Sequence, residues 1–394
     1  MTVSANPGVI ELFSGAGGFT WGLRRAGFQT LASIDNDPIA ARTHELNFGG
    51  GHSIQVNRDL TALDPLAFRA LLGGRPRNAV AIVGGPPCQG WSKAGRGKLR
   101  SLSDRAASLL GDPRNRLYRV FLEYVDHFRP KICVMENVPG MMSIEGFNVA
   151  EVVAKHFEDI GYSCSYHVIN ARWFGVPQDR RRIIFIGSRR NARVRIPAEG
   201  LEQFAQVFRA ASAGLPGETT LRQAIGDLPL VGAGMAEDPQ VYRLSRGRPS
   251  KYVALMRERS NGLLTDHVVR YHNPQDIAAF AFMKEGMVYR DLPTRFKRYR
   301  DDIFKDKYRK LHWDRPAGTI TAHLAKDCYT HIHPEQPRTI SIREAARIQS
   351  FPDDFRFLGH MGDRFRLIGN AVPPLMAWGI AEFVRRHLDG GRLT

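Results

Sequence analysis

Short apolar, β-rich runs alternate with segments of helical period between Val9 and about Ser188. Nearly all-apolar strands separated by amphipathic helices typify a parallel sheet covered on both faces. We therefore predict an α/β fold with a doubly wound, mostly parallel sheet. The predicted strands are Val9 to Phe13, Thr30 to Asp35, Ala79 to Gly85, Lys131 to Asn137, Ser165 to Asn170 and Arg182 to Gly187, and the predicted helices are Gly18 to Ala26, Pro38 to Asn47, Leu117 to Phe128 and Phe147 to Ile160.

The pattern changes after Ser188, where proline, glycine, arginine and scattered aromatic residues replace the alternation. Clear helical period returns only near Ser341 and again from Ile368 to Val384. This predicts a smaller, irregular second domain inserted into the first. We place the first domain at residues 1–188, completed by 356–394, and the second at 189–355.

The charge balance adds a partner class to this picture. The chain has 394 residues, with 56 Lys and Arg against 39 Asp and Glu, a formal charge of +17. A field of that sign favours a polyanionic partner such as nucleic acid, although a merely soluble basic protein is also compatible with it.

The cysteine spacing and the amino-terminal sequence indicate the cellular compartment in which the protein works. Four cysteines lie far apart, without zinc-ligand spacing, so neither a disulfide framework nor a structural metal is expected. No signal sequence and no membrane-spanning stretch is predicted. A reducing, cytoplasmic location is expected.

A glycine-rich turn follows the first predicted strand, in V-I-E-L-F-S-G-A-G-G-F-T-W-G from Val9. Glycines let the backbone approach a ligand, and the helix amino terminus favours its polar or anionic end. The turn does not match the dinucleotide pattern G-x-G-x-x-G. Asp35 ends the second strand, where nucleoside-binding sheets place a carboxylate for ribose hydroxyls. These features predict a nucleoside-bearing cofactor other than a nicotinamide.

Candidate chemistry follows the later strands. G-G-P-P-C-Q-G-W-S places Cys88 in a stiff loop after a strand, which makes it a candidate nucleophile. K-I-C-V-M-E-N-V-P-G ends a strand at Glu136, a candidate hydrogen-bond or proton donor to a base. Q-D-R-R-R opens a further strand, where alternation would point Arg180 and Arg182 to one face.

The run from Tyr289 to Lys310 interleaves nine basic residues with five aromatic and four acidic ones. This mixture suits phosphate contacts beside aromatic residues that stack or pack. A solvated basic helix is the alternative interpretation.

Together these segments resemble the prokaryotic cytosine carbon-5 DNA methyltransferases, in that family's motif order and over almost the whole chain. E-L-F-S-G-A-G-G resembles the cofactor loop, G-G-P-P-C-Q-G-W-S the nucleophile loop, M-E-N-V the carboxylate motif and Q-D-R-R-R the arginine motif. R-T-I-S-I-R-E-A-A-R-I-Q-S-F-P-D-D-F, ending at Phe355, resembles the segment that organises the recognition domain, and I-G-N-A-V-P-P, ending at Pro374, resembles the closing motif.

The resemblance implies a class I methyltransferase-like, Rossmann-related fold, S-adenosylmethionine as cofactor, no metal, and a cytosine flipped out of duplex DNA. It implies that Cys88, Glu136, Arg180 and Arg182 surround the cytosine. It assigns the cofactor to Phe13, Ser14, Gly15, Gly18, Asp35 (ribose), Asp59 and Leu60 (adenine), Pro86, Leu117, Asn370 and Val372 (methionine end). Three departures stand out: Asp35 where the family more often has Glu, Asn36 where an aromatic is common, and Glu11 for a frequent Asp.

Two alternatives stay open at the level of sequence. An RNA cytosine methyltransferase would share the catalytic core, although its usual recognition segment is shorter. A catalytically inactive DNA-binding homologue is disfavoured because Cys88, Glu136 and Arg182 are all present. For the enzyme we expect a monomer on double-stranded DNA and no membrane, while a cognate restriction endonuclease, a phage role and an orphan role remain alternatives.

Overall fold

Two units make up the part of the chain that is described in the computed structural model, which covers residues 6–50, 53–73, 79–87, 116–142, 148–190, 199–215, 217–232, 234, 239–241, 249–300 and 307–389. The first unit contains residues up to 170, 181–207 and from 376 onward, and the second contains 171–180 and 208–375. The predicted nucleophile Cys88 lies outside the described residues.

A seven-stranded sheet forms the centre of the first unit, with the strand order β3-β2-β1-β4-β5-β7-β6. The first five strands pair in parallel, and β7 runs antiparallel to both β5 and β6. The predicted mostly parallel sheet is thereby confirmed. The strands are Gly8–Leu12 (β1), Gln29–Asp35 (β2), Ile54–Asn57 (β3), Ala79–Gly84 (β4), Ile132–Asn137 (β5), Tyr162–Asn170 (β6) and Arg181–Arg189 (β7).

The helices of this unit begin at strong local signals. Asp37, Asp64 and Asn148 cap three of them, and their side chains accept hydrogen bonds from the first-turn amides. A proline follows two of these caps, where its missing N–H costs nothing. The helices are Gly18–Arg25 (α1), Pro38–Phe48 (α2), Pro65–Leu71 (α3), Leu117–Phe128 (α4), Val149–Asp159 (α5), Leu201–Val207 (α6) and most of Pro374–Leu388 (α12).

Besides α6, which lies beyond the predicted domain boundary at residue 188, two elements of the first unit were not predicted, β3 and α3. The four residues of β3, I-Q-V-N, have little apolar pattern of their own and pair only with β2 at the sheet edge. The first turn of α3 has the same Asp-Pro signal as α2, but only Phe68 of its seven residues is buried. Both elements owe their stability to pairing and packing rather than to a periodic sequence.

The sheet topology brings the ends of four strands to one edge. Leu12 of β1 lies opposite Ile34 of β2 on one side and Gly84 of β4 on the other, and Gly84 lies opposite Met135 of β5. Because these strands are parallel, the loops after all four emerge at the same carboxyl edge. The chain also reverses its winding between β1 and β4, where doubly wound sheets bind ligands.

Short helices and irregular segments make up the second unit. Its helices are Leu221–Ile225 (α7), Lys251–Met256 (α8), Pro274–Phe282 (α9), Ile342–Ile348 (α10) and Met361–Asn370 (α11), and Gln240–Val241 (β8) pairs antiparallel with Leu263–Leu264 (β9). Three arginines in and before α10, Arg338, Arg343 and Arg347, are fully buried. Their guanidinium groups bind carboxylates and backbone carbonyls and so tie irregular segments together.

One stretch of the described chain, residues 361–388, is long and apolar enough to cross a membrane by length and composition alone. Its most apolar window is 89% buried inside the protein, as in the core helix of a soluble protein. The stretch is also interrupted between α11 and α12 at residues 371–373. It is therefore weak grounds for a membrane span.

Candidate active site

The glycine-rich turn after β1 is held by the carboxylate at the end of β2. Gly15 N–H donates to Asp35 Oδ2 at 2.8 Å, and Asp37 N–H donates to Asp35 Oδ1 at 2.9 Å. Phe13, Gly15 and Gly17 have φ angles of 56°, 54° and 98°. A left-handed conformation at a bulky residue such as Phe13 is strained, and such strain is concentrated at functional sites.

Gly17 is required by close packing as well as by its φ angle. A Cβ at this position would lie 2.3 Å from a ring carbon of Phe48 and 2.8 Å from a ring carbon of His44, both in α2. The following residue, Gly18, is buried at the start of α1. The turn therefore lies tightly between β1 and α2.

Other atoms of the same turn have the features of a ligand site. Ser14 Oγ is buried, and no described residue provides it with a hydrogen-bond partner. Apart from Gly15 and its two chain neighbours, no atom of the described residues lies within 4 Å of the position that a Cβ on Gly15 would take. Because buried hydroxyls are seldom left unpaired, a polar group of a bound molecule fits at this position. The turn and the Asp35 carboxylate thus fit a nucleoside-bearing cofactor.

The residues predicted to lie near adenine follow β3, beside Asp35. Asn57 Nδ2 donates to the Asp35 carbonyl, and Leu60 is 4% exposed. Asp59 accepts hydrogen bonds from the amide and the hydroxyl of Thr61, so its carboxylate is already engaged in a local turn. Leu117 is half-buried at the first position of α4. Their contacts with a cofactor stay a prediction.

Glu136 and Arg182 form an ion pair at the carboxyl edge of β5. Arg182 Nε lies 2.8 Å from Glu136 Oε1, and the two side chains are 13% and 12% exposed. The antiparallel pairing of β5 with β7 sets this contact, because Glu136 lies opposite Ile184 in the sheet. A carboxylate and a guanidinium are thus presented together from a largely desolvated position.

Asn137, which the sequence analysis did not single out, links this edge to the loop after β4. Its Nδ2 donates to the carbonyl of buried Pro86 at 3.2 Å, and its own Oδ1 accepts from Val138 N–H at 2.8 Å. Pro86 is two residues before Cys88. In the sequence, the position of Asn137 directly after Glu136 at the end of a strand was the signal that could have indicated this role.

Arg180 lies one residue before the first residue of β7, so its predicted common strand face with Arg182 stays a prediction. Its guanidinium is buried and donates to the carbonyls of Ile320 (2.6 Å), Gly369 (3.2 Å) and Ala371 (3.1 Å). These contacts tie Arg180 to other segments of the second unit, and its predicted contact with the base stays a prediction.

The remaining predicted residues are distributed as follows. Asn370, the last residue of α11, is exposed, and Val372 is 9% exposed in the break before α12.

The cysteines of the described chain, Cys133, Cys164 and Cys328, are free. Burial raises the pKa of each of the three thiols, to about 12 for Cys328. Among the described residues, no group of three metal-ligating side chains is found.

A buried polar network lies beneath the glycine-rich turn. The Thr20 hydroxyl of α1 contacts the Glu11 carboxyl of β1, and His44 Nε2 lies 2.9 Å from the same hydroxyl. Burial raises the pKa of Glu11 to about 8, with a smaller increase from Asp35 and opposing effects of Thr20 and Arg24. Burial lowers the pKa of His44 to about 3. Only the departure at Glu11 hinted at this network in the sequence.

We predict that Glu11 makes the first unit less stable as the pH rises. Because its pKa rises from 4.5 to about 8 on folding, its contribution is fully present below pH 4.5 and is lost as the pH increases through 8. Between those pH values, Glu11 lowers the free energy of unfolding by about 1.4 kcal/mol for each pH unit of increase. Glu11→Gln, which keeps an acceptor for Thr20, is expected to remove that slope in urea unfolding followed from pH 5 to 9. An unchanged slope in this variant would show that other groups titrate.

Comparison with known proteins gives the family. The type II methyltransferase M1.HphI of Haemophilus parahaemolyticus is 34% identical over 376 residues, covering 95% of this chain and 86% of the relative. The type II methyltransferase M.AgeI of Thalassovita gelatinovora is 31% identical, covering 95% and 98%. A solved prophage-encoded E. coli protein, classed as a candidate DNA modification methyltransferase, superposes with a TM-score of 0.73 at 25% identity, covering 97% of this chain and 99% of that one. The model of C-5 cytosine-specific DNA methylases matches residues 8–386, so the chain belongs to this family and is a DNA cytosine-5 methyltransferase that uses S-adenosylmethionine.

Proposed function

We propose that the enzyme methylates a cytosine that is flipped out of duplex DNA, through a covalent adduct with Cys88. The Glu136–Arg182 pair carries this proposal, since it presents a carboxyl group and a guanidinium at the edge from which the Cys88 loop departs. A base cannot reach such an edge while stacked in a duplex, so it must rotate out at a cost of about a few kcal/mol.

Cytosine carbon 5 is a poor nucleophile, and the thiolate of Cys88 overcomes this by adding to carbon 6. Negative charge then develops on the ring. Glu136, as a carboxylic acid near ring nitrogen 3, neutralises it by donating its proton, and the Arg182 guanidinium near the carbonyl oxygen stabilises the remaining charge. Bound S-adenosylmethionine supplies an electrophilic methyl group. After methylation, a base such as a water molecule accepts the carbon 5 proton. The electron pair of that C–H bond forms the C5–C6 double bond as the C6–S bond breaks and releases the Cys88 thiolate, and ring nitrogen 3 returns its proton to Glu136.

The chemistry of the other cysteines supports this choice of nucleophile. Only a thiolate attacks efficiently, and an apolar burial site disfavours it. Burial raises the pKa of Cys133, Cys164 and Cys328, and these thiols are therefore protonated at neutral pH. Of the chain's four cysteines, only Cys88 follows a strand in a Gly-Pro loop.

For the cofactor we propose the turn and the sheet edge of the first unit. Asp35 would accept hydrogen bonds from the ribose hydroxyls, and the Ser14 hydroxyl and the Gly15 backbone would bind the amino acid end. Asp59 and Leu60 would border the adenine. Phe13, Gly18, Pro86, Leu117, Asn370 and Val372 complete the proposed set by the family resemblance. The engagement of Asp35 by the Gly15 amide supports this arrangement, because it fixes the carboxylate against the turn.

We further propose that the first unit catalyses the transfer and that the second recognises the target sequence as a monomer on the DNA. The type II names of the relatives suggest modification within a restriction system, acting in the cytoplasm beside a cognate endonuclease. Bisulfite mapping of DNA from cells that express the chain tests the product and gives the target site. Parallel transfer assays on duplex DNA and transfer RNA separate this function from RNA methylation, and absence of any transfer would indicate an inactive homologue.

The basic segment, residues 289–300 and 307–310, is the proposed phosphate-binding surface of the second unit. Arg290 and Arg295 are exposed there. Replacing both with glutamine is expected to weaken DNA binding. It should also reduce the salt slope, the slope of the logarithm of the binding constant against the logarithm of salt concentration, by up to about two. Titrations at several salt concentrations measure both quantities.

Arg172 and Arg222 provide a matched control for that pair. Both belong to the same unit and lie outside the basic segment, their side chains are 43% and 54% exposed, and both are paired with a carboxylate. Changing both to glutamine alters the net charge equally. If the two double variants have the same salt slope, the segment does not contact phosphates.

A further inference from the structure

Asp276 is a buried carboxylate at the beginning of α9, close to the basic segment. Asn273 caps this helix: its Oδ1 accepts from Asp276 N–H, and its Nδ2 donates to Asp276 Oδ2 at 2.9 Å. Asp276 is 0% exposed. A charged group is buried to this extent only where several donors satisfy it.

Three further side chains donate to this carboxylate. Arg298 Nη1 lies 2.6 Å from Oδ1, the Tyr329 hydroxyl donates to Oδ2 at 2.6 Å, and the Tyr308 hydroxyl contacts Oδ1. Burial alone would raise the pKa of Asp276, but these hydrogen bonds outweigh it and hold the pKa below its usual value. The group is thus an anion at neutral pH. Arg298 and Tyr308 belong to the two described parts of the basic segment.

The aromatic residues of the basic segment pack inward around Asp276. Tyr289 and Tyr308 are 1% and 0% exposed, and their ring centroids lie 5.2 Å apart. Tyr308 also packs edge-on against Phe280 and Tyr329. These buried rings are not available to stack on bases, so of the two roles weighed for them, packing is the one that the structure supports.

Several arginines of the same segment lie on the outside, whereas Lys310 is buried. Arg290, Arg295 and Arg300 are exposed, and the Arg290 side chain is 85% exposed. Arg298 differs from these, since its side chain is 33% exposed while one end is bound to buried Asp276. A guanidinium carries five N–H donors, so it can bind a carboxylate behind it and a phosphate in front.

We propose that Asp276 is a positioning residue for DNA binding, which orients Arg298 and joins the two parts of the basic segment so that its cations meet the phosphate backbone. This inference rests on the proposed phosphate-binding role of that segment. Asp276 itself touches no DNA. It acts by reducing the number of conformations that Arg298 and its neighbours must lose on binding.

Replacing Asp276 with asparagine tests the proposal because net charge and loss of the anchor predict opposite changes in DNA affinity. Removing an anion from a DNA-binding unit raises its positive charge, and charge alone therefore predicts tighter binding. Loss of the anchor predicts weaker binding, by about tenfold, the order expected for one displaced phosphate contact. The affinity for a DNA duplex that contains the target site, measured at fixed salt, distinguishes the two.

Two variants complete the experiment. Asp314→Asn removes an exposed, arginine-paired carboxylate of the same unit and is expected to leave DNA affinity unchanged or slightly higher. Tyr329→Phe removes one donor to Asp276 without changing any charge and lies outside the basic segment. Tyr329→Phe is expected to weaken DNA binding about two- to threefold. If near-ultraviolet circular dichroism shows that Asp276→Asn does not fold, the DNA affinity of Tyr329→Phe tests the proposal instead.

A positioning role also predicts which kinetic constants change. In Asp276→Asn the KM for DNA should rise while the KM for S-adenosylmethionine and the turnover at saturating DNA stay constant. Unchanged or tighter DNA binding by this variant would overturn the proposal. So would a rise in both KM values together with a matching fall in turnover. If Arg290→Gln with Arg295→Gln leaves DNA affinity unchanged, the segment's phosphate role fails instead. Weakening by that pair together with no effect of Asp276→Asn rejects the positioning role alone.

Discussion

Cys88→Ala is expected to abolish methyl transfer while leaving the binding of S-adenosylmethionine largely intact. Without the thiolate, nothing adds to carbon 6 and carbon 5 stays unreactive, so the rate should fall by about four orders of magnitude or more. Transfer of tritium from labelled cofactor to duplex DNA measures the loss. Titration of the cofactor by calorimetry verifies that its site survives.

Cys164→Ala is the matched control, because Cys164 is a free, half-buried thiol on β6 of the first unit. It should transfer methyl groups at close to the parent rate. Turnover by Cys88→Ala at a rate comparable to this control would rule out the covalent mechanism. A duplex containing a carbon 5-fluorinated cytosine should form a denaturation-resistant complex with the parent enzyme and none with Cys88→Ala, since fluorine cannot leave as the proton does.

Glu136→Gln is expected to reduce turnover by about a hundred- to ten-thousandfold, the range for removing a positioned acid. Glutamine keeps the size of the side chain and an oxygen for Arg182, but it cannot donate a proton to ring nitrogen 3. The ion pair at 2.8 Å also means that the change leaves Arg182 without its charged partner in a largely buried position. Single-turnover rates at saturating DNA measure the chemical step.

Glu123→Gln serves as control, since Glu123 is exposed on α4 of the same unit. It should have the parent's rate. Arg182→Met and the double variant complete a cycle with Glu136→Gln, and because the two groups act on one base their effects should not add. Full additivity of the two changes would indicate that the pair does not act as a unit.

How far the sequence predicts this site depends on how local each feature is. The turn at Phe13 to Gly18 and the helix beginning at Pro38 follow from glycine, proline and capping signals within a few residues. The parallel direction of the central strands follows from their alternation with helices. Even the partnership of the turn with Asp35 was accessible, because a carboxylate that ends the second strand of such a sheet lies beside the first turn.

Arg180 and Arg182 show what local inference leaves open. The sequence Q-D-R-R-R does not reveal at which residue a strand begins or which distant groups its arginines contact. The pairing of Arg181 with Asn170 on β6 sets the beginning of β7. Arg182 consequently meets Glu136, while Arg180 donates to carbonyls from residues 140 to 191 positions away in the chain.

By itself, the sequence determined the α/β class and the family, and it predicted the cofactor turn and the reacting groups, since each motif is a short local segment. Only the tertiary structure decided the Glu136–Arg182 contact, the Glu11–Thr20–His44 network and the convergence of Arg298, Tyr308 and Tyr329 on Asp276. These depend on distant segments that meet where water is excluded. Burial then gives a single carboxylate its partners and its pKa, and no pattern along the chain encodes either.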